Sequence, residues 1–206
     1  TGINVSQEKF RQVFSDLNIN PKWIDLIVIS HGHTDHFAHV KYLKELTGAP
    51  LLCHKNAVAA LQTGKNPEII ARNQLGRDVL RRLRFVELPS YQPVEPDILI
   101  EKEFDLNSYG VAGRIIPTPG HSDCSLSLVL DTGEALIGDL VISSPFTGKP
   151  CLAYFATDEK ALFASINKLL NEVHTAALLP GKRFYQPWPG PKNKKSNKLV
   201  NGAWHH

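Results

Sequence analysis

Methionine is absent from the 206-residue sequence, and cysteine occurs only three times. Cys53, Cys124 and Cys151 are widely separated and include no CxxC pair, so the sequence indicates no disulfide framework. An odd and sparse set of this kind is typical of a reducing compartment. We therefore expect a cytoplasmic protein whose cysteines are small buried side chains rather than ligands.

Long apolar runs and a strong charge of either sign are also missing. No apolar stretch approaches the about 18 residues of a membrane span, so we expect neither a span nor a signal peptide. The net charge of +3 is too small to indicate a nucleic-acid partner. A hydrophobic fraction of 42% is typical of one ordinary globular domain with enough material for a core. We expect the partner to be a small-molecule substrate.

The sequence does contain a cluster of metal-binding side chains directly after an apolar run. The run Asp25-Leu-Ile-Val-Ile-Ser30 predicts a strand buried on both faces, and it leads into His31, His33, Asp35 and His36. In an extended loop the first two side chains point to one side and can hold one metal, whereas the last two follow a bend and can face a second. Imidazole and carboxylate together suit zinc, iron or manganese. A polar surface loop is the competing interpretation, but open α/β sheets place their sites at such strand ends.

The spacing of apolar residues predicts an alternation of helices and strands along the chain. The predicted helices cover residues 6–17, 38–46 and 158–173, with Ser6 as an N-cap and Gly48 as a stop. The predicted strands cover residues 25–30, 51–53, 97–104, 111–117, 125–130, 135–138 and 175–179.

The segment 56–84 is mostly helical in pattern and basic, and it has two interpretations. It is either a solvated helix face or an inserted helical element, a lid that supplies cations to an acidic substrate. We predict a domain over residues 1–186 that contains this segment, followed by a flexible basic tail over 187–206 that ends in a remnant of a purification tag. RNA binding by the tail is the alternative interpretation. The segment contains five arginines, Arg72, Arg77, Arg81, Arg82 and Arg84.

The motif Ser30-His-Gly-His-Thr-Asp-His36 resembles the H-x-H-x-D-H signature of the metallo-β-lactamase-fold hydrolases. Two later segments match that family in order, Thr118-Pro-Gly-His121 and Gly138-Asp139. The resemblance covers roughly residues 1–182 and implies an α/β fold, a four-layer αββα sandwich with its ligands on loops at one edge. It also implies that the first strands of the domain precede Thr1-Gly2, because in the family a similar pair follows several strands.

The resemblance implies a set of six metal ligands with distinct places. They are His31, His33 and His121 for a first metal, Asp35 and His36 for a second, and Asp139 as the bridge between them. The implied cofactor is zinc, as one or two ions, with iron or manganese as alternatives. Two ions about 3.5–4 Å apart would hold a water between them and lower the pKa of that water towards about 7. Asp35 is also the predicted catalytic residue.

The sequence departs from the family pattern at its last ligand. The family usually has a histidine in a P-G-H context after the final strand, whereas this sequence has Leu178-Leu-Pro-Gly-Lys182. An ammonium cannot ligate a metal and repels a dication by several kcal/mol at about 4 Å. Three outcomes stay open: a weak second site held by Asp35, His36 and Asp139 with water, an empty second site, or Lys182 in place of the second cation.

The function that the resemblance favours is a metal-dependent hydrolase of a small ester, thioester or lactone, similar to the glyoxalase-II-like and lactonase-like branches. One alternative is an iron-dependent sulfur (persulfide) dioxygenase of the same fold, built on two histidines and one carboxylate. Another is a catalytically silent protein that binds a metal or ligand. Two further histidines, His39 and His54, are interpreted as supporting or structural residues.

Overall fold

A computed structural model describes residues 1–3, 5–83, 91–144, 147–173 and 177–180 of the chain. The helices are α1 (Gln7–Asp16), α2 (Thr34–Phe37), α3 (Val40–Thr47), α4 (Val58–Thr63), α5 (Gln74–Leu83) and α6 (Glu159–Glu172). The strands are β1 (Ile27–Val28), β2 (Leu51–His54), β3 (Ile98–Ile100), β4 (Phe104–Asp105), β5 (Gly113–Pro117), β6 (Leu126–Leu130), β7 (Glu134–Gly138), β8 (Val141–Ser143), β9 (Pro150–Leu152) and β10 (Ala177–Pro180).

The helices begin and end at the residues whose chemistry favours a cap. The Ser6 side chain accepts a hydrogen bond from the backbone N of Lys9 at the start of α1, and Asp158 caps α6 in the same way. Gly48 ends α3 in the left-handed region, at φ +79°. The predicted helices 6–17 and 158–173 are confirmed, and the predicted helix 38–46 is α3. The one-turn helix α2 that precedes it was not predicted separately.

The strands form two main sheets and a small hairpin. The first sheet is parallel, in the order β1-β2-β3. The second has the order β10-β7-β6-β5-β4, in which β10 and β7 are parallel and the other pairs antiparallel. The hairpin joins β8 and β9.

Two predicted strands differ from those in the structure. The strand predicted over 97–104 is wrong as a single element, because the exposed residues 101–103 separate β3 of the first sheet from β4 of the second. The strand predicted over 25–30 is shorter than expected, since only Ile27–Val28 pairs as a strand. The chain nevertheless stays beside β2 a little further, because Ile29 N donates to Leu52 O at 2.9 Å.

Three apolar clusters fill the interfaces between four layers, with α2–α4 outside the first sheet and α6 outside the second. Alternate residues of each strand face opposite layers, as the pleat requires. Leu51 packs towards the outer helices whereas Leu52 packs between the sheets, and Ile115 lies between the sheets whereas Ile116 packs with Leu162 of α6. This is the α/β four-layer αββα sandwich that the resemblance implies.

The strand ends bring the chemically important loops to one edge. The two sheets are joined there because Leu126 N, at the start of β6, donates to Ser30 O at 2.7 Å. Gly120 lies at φ +140°, and a Cβ on it would be 2.2 Å from the backbone N of Leu162. Only glycine therefore lets the turn before His121 pack onto α6.

The segment 56–84, predicted as a helical insertion or lid, contains α4, α5 and the chain between them. Within that connection Ala71 forms an isolated antiparallel bridge with Phe155. Arg84 and the predicted tail 187–206 lie outside the described residues. No helix in the described ranges has the length and apolar character needed to cross a membrane.

Candidate metal centre

Three imidazoles, here called the imidazole group, converge at the edge where the loops meet: His31, His33 and His121. All three side chains are buried. His31 Nε2 and His121 Nε2 each lie 3.0 Å from His33 Nδ1. The two predicted segments of the sequence, the motif after β1 and the turn after β5, therefore supply nitrogens to one point.

Hydrogen bonding alone does not satisfy this arrangement, because a ring nitrogen carries at most one hydrogen and His33 Nδ1 faces two others. Nitrogens bound to a tetrahedral zinc at about 2.0–2.1 Å would lie about 3.3 Å apart, close to the observed spacing. Burial lowers the pKa of His31 well below its ordinary value and lowers the pKa of His33 to about 3. Both rings are therefore neutral near pH 7, which is the form that binds a metal. The imidazole group fits an ion.

The other three predicted side chains, here called the mixed group, lie beside the first: Asp35, His36 and Asp139. His36 Nε2 is 3.6 Å from Asp35 Oδ2 and 3.4 Å from Asp139 Oδ1. The Nε2 atom of His36 is buried and makes no hydrogen bond within the described part of the chain. Asp139 also faces the imidazole group, since its Oδ2 is 4.0 Å from His121 Nε2. The donor atoms of His31, His36 and Asp139 all lie within 4.8 Å of one another.

Two groups that the sequence did not predict, a hydroxyl and a backbone carbonyl, hold the rings of the cluster. Ser30 Oγ lies 3.2 Å from His31 Nδ1 and 3.2 Å from His36 Nδ1, so one hydroxyl supports both groups. The backbone carbonyl of Phe155 lies 2.8 Å from His121 Nδ1 and can only accept, so that nitrogen is the donor. A neutral imidazole that donates through Nδ1 leaves Nε2 as an acceptor, and here Nε2 faces the cluster. The sequence does not indicate which backbone carbonyl will support a ring, and a single serine before the motif is only a weak indication of such a role.

A hydrogen bond to a cysteine holds the loop between His31 and His33. Gly32 N donates to Cys124 Sγ at 3.2 Å, and a Cβ on Gly32 would lie 3.2 Å from the Cβ of Ala60. Burial raises the pKa of the Cys124 thiol, which therefore stays protonated. Cys53 is buried as well, so these two cysteines match the expectation of small buried side chains.

The structure brings all six predicted side chains together and leaves His39 and His54 outside the cluster. His54 Nδ1 accepts from Asn56 N at 3.2 Å and so caps a short turn. The ring of His39 packs against Phe10, with centroids 5.5 Å apart. Lys182, which is predicted to replace the family's last ligand, lies outside the described residues.

Comparison of the sequence with known proteins finds a family that matches most of the chain. The family model described as the metallo-beta-lactamase superfamily matches residues 1–176. A curated relative, the beta-lactamase hydrolase-like protein of Xylella fastidiosa (strain Temecula1), is 26% identical over 166 residues, which is 80% of this chain and 34% of that protein. The chain thus spans little more than a third of the length of the curated relatives it matches.

Solved structures show the same fold. TTHA1623, crystallised in a di-iron-bound form, is similar with a TM-score of 0.60 and 22% identity over 89% of this chain and 80% of that one. The BLEG-1 B3 metallo-beta-lactamase is similar with a TM-score of 0.62 and 20% identity over 87% of this chain and 78% of that one. At these identities the likeness shows the fold and not a shared substrate.

Proposed function

The chain belongs to the metallo-β-lactamase superfamily, and we propose that it is a metal-dependent hydrolase acting on a small ester, thioester or lactone. The observation that carries the proposal is the convergence of three buried ring nitrogens on one point. Such a donor set has no structural use without an ion, because its members cannot satisfy one another's hydrogen bonds.

The two groups would hold the metal in different ways. His31 Nε2, His33 Nδ1 and His121 Nε2 would bind the first ion, and this set of imidazoles suits zinc, with iron or manganese as alternatives. Asp35 and His36 would bind a second ion, with Asp139 between the two. The di-iron-bound form in which TTHA1623 was crystallised supports a capacity for two ions in this fold.

The protein's own residues then divide the chemical work. A bound ion supplies a water of lowered pKa and an electrophile for the carbonyl oxygen. Asp35 has a side chain 27% exposed, against 4% for Asp139, so it is the carboxylate that faces solvent and substrate. We assign to Asp35 the acceptance of the water's proton and its transfer to the leaving group. Ser30 and the Phe155 carbonyl keep the rings in the orientation that binding needs.

A metal-dependence experiment tests this function. The protein is stripped of metal, reloaded with zinc, and assayed on a panel of esters, thioesters and lactones. We expect hydrolysis to follow the metal and to be lost in His33→Ala, while His54→Ala, which removes a buried imidazole outside the cluster, retains it. Hydrolysis that is equal with and without metal would contradict the proposal. Tight metal binding with no turnover across the panel would favour the catalytically silent alternative.

A second candidate function, the iron-dependent sulfur dioxygenase, is favoured by one observation. His31, His36 and Asp139 form a compact set of two histidines and one carboxylate, which is typical of non-haem iron oxygenases. Oxygen uptake by the iron-loaded protein with a small persulfide substrate tests this candidate. Uptake that exceeds hydrolysis on the panel would replace the hydrolase proposal.

We also propose a small-molecule substrate and a cytoplasmic location. The support for the location is the scarcity of cysteine and the burial of Cys53 and Cys124 as free thiols. The support for a small substrate over a nucleic acid is the net charge of only +3. Fractionation of cells that express the full-length protein tests the location.

A further inference from the structure

The segment 153–159, which runs from the end of β9 into the first residue of α6, connects the metal cluster to the rest of the fold. On one side its Phe155 carbonyl accepts the hydrogen of His121 Nδ1 at 2.8 Å. Nearby, Thr157 N donates to His121 O at 3.3 Å. The position of this segment therefore determines where the ring of His121 points.

On its other side the same segment pairs with residues of 56–84. Arg72 N donates to Tyr154 O at 2.9 Å, and Ala156 N donates to Ile70 O at 3.0 Å. These two bonds lie on either side of Phe155. Close packing adds to them, because a Cβ on Gly76 of α5 would be only 2.4 Å from Tyr154 O.

The side chain of Arg72 reinforces this pairing at both ends. Its Nε donates to Ala153 O at 3.0 Å, and its Nη1 lies 2.9 Å from Glu159 Oε1. Ala153 precedes Phe155 in the chain and Glu159 follows it. One guanidinium therefore binds the segment on both sides of the carbonyl that accepts from His121. The side chain is only 15% exposed, which distinguishes it from a solvated surface arginine.

Two arginines of the neighbouring helix α5 differ in this respect. Arg77 Nε donates to Gln74 and Arg81 Nη1 to Asp78, so both bond within their own helix. Arg72 alone among these three reaches across to the segment that supports the cluster. Its charge is neutralised by Glu159, so it is not a cation held ready for an acidic substrate.

We infer that Arg72 is a positioning residue for the metal centre: it holds segment 153–159 so that the Phe155 carbonyl fixes the ring of His121. The inference rests on the proposed metal centre, but its structural part, the link from Arg72 to the ring of His121, does not need a bound ion. A planar fork suits this task because its several N–H groups point in fixed directions, whereas an ammonium is a point charge on a flexible stem.

The test compares Arg72→Gln with a matched control, Arg114→Gln. Arg114 also joins separate segments, with Nη2 3.1 Å from Glu172 Oε2 and Nε 3.5 Å from Glu103 Oε1, and it lies at the far end of β5 from His121. Loss of a group that orients a ligand typically costs 10–100-fold in metal affinity. We expect the zinc dissociation constant of Arg72→Gln, measured by chelator competition, to rise about tenfold or more, with no such change in Arg114→Gln.

A second readout follows the histidine itself in metal-free protein. Nitrogen-15 NMR reports the tautomer of His121 and the hydrogen bond of its Nδ1–H. We expect this signal to shift in Arg72→Gln and to stay at the wild-type position in Arg114→Gln. Arg72→Lys, which keeps the charge but offers a single donor group, should lie between Arg72→Gln and wild type in both measurements.

The outcomes separate this inference from the function on which it rests. An unchanged His121 signal in Arg72→Gln would overturn the inference even if wild-type protein binds zinc. Equal losses of affinity in the two glutamine variants would overturn it too, since general destabilisation would then explain both. Wild-type protein that binds no zinc would refute the proposed function, and Arg72 would then position a ring with no metal to bind.

Discussion

The two halves of the donor cluster differ in how firmly the fold holds them. In the imidazole group His33 Nδ1 lies 3.0 Å from each of the other two ring nitrogens, and all three side chains are buried. In the mixed group the distances to His36 Nε2 are 3.4 and 3.6 Å, and the side chain of Asp35 is 27% exposed. The imidazole group is therefore closely packed and buried, whereas the mixed group is more open to solvent.

The imidazole group and the mixed group also differ in charge. In the imidazole group burial keeps His31 and His33 neutral near pH 7, whereas the mixed group places two carboxylates around one ring, and like charges at short distance repel until a cation joins them. Binding a first ion should therefore cost little rearrangement, and binding a second should depend on what completes the mixed group. Substitutions in each group should separate the two, and the largest effect is expected in the imidazole group.

Removing one ring of the imidazole group should abolish function. In His121→Ala only two of three imidazoles remain, so we expect zinc affinity to fall at least about 100-fold, or about 2.8 kcal/mol, and hydrolysis to disappear. Elemental analysis of dialysed protein measures the loss. His54→Ala serves as the control. Stoichiometric zinc and normal turnover in His121→Ala would show that this histidine is not a ligand.

Removing the ring of the mixed group should leave the first ion in place. His36→Ala deletes the nitrogen that both carboxylates approach, so we expect one tightly bound ion to remain and binding of a second to disappear. Calorimetric titration of the metal-stripped protein distinguishes the two steps. If the first ion is lost as well, the two halves are a single site and the comparison between them fails.

The third change is predicted to strengthen the mixed group, and it depends on the sequence alone. The sequence predicts that Lys182 takes the position where the family usually has a histidine, and this residue lies outside the described part of the chain. Lys182→His would remove a repulsive charge and add a ligand, so we expect the second affinity to rise at least about tenfold, or about 1.4 kcal/mol. Identical second-step titrations of variant and wild type would refute this role.

The smallest effect is expected at the hydroxyl that both halves share. Ser30→Ala removes the partner of His31 Nδ1 and of His36 Nδ1, so both ions should bind more weakly, by up to about tenfold each. Ser143→Ala is a matched control, because that hydroxyl donates to Gly148 O away from the cluster. Loss of affinity for one ion only would indicate that Ser30 supports a single half.

The sequence predicted the donor residues better than the contacts that orient them. His31, His33 and His121 could be predicted because imidazole is a metal ligand and because each of these histidines follows a strand. The partners of their other ring nitrogens could not be found in the same way. Ser30 is an ordinary turn residue until the fold places His36 beside it, and the Phe155 partner is a backbone carbonyl that every residue carries.

The fold shows the same division between local and distant causes. The caps at Ser6, Asp158 and Gly48 are local, so α1, α6 and the end of α3 were predicted closely. The division of 97–104 between two sheets depends on how the layers pack, which periodicity does not contain. The pairing of Ala71 with Phe155 is likewise a tertiary contact, and the basic, helical pattern of 56–84 gave no indication of it.

The most direct test of the central claim is the position of the metal itself. Crystals of zinc-loaded protein, with diffraction data collected on both sides of the zinc absorption edge, give an anomalous difference map. We predict the strongest peak within about 2.0–2.1 Å of His31 Nε2, His33 Nδ1 and His121 Nε2. A strongest peak elsewhere, or none at this cluster in protein that holds stoichiometric zinc, would contradict the account.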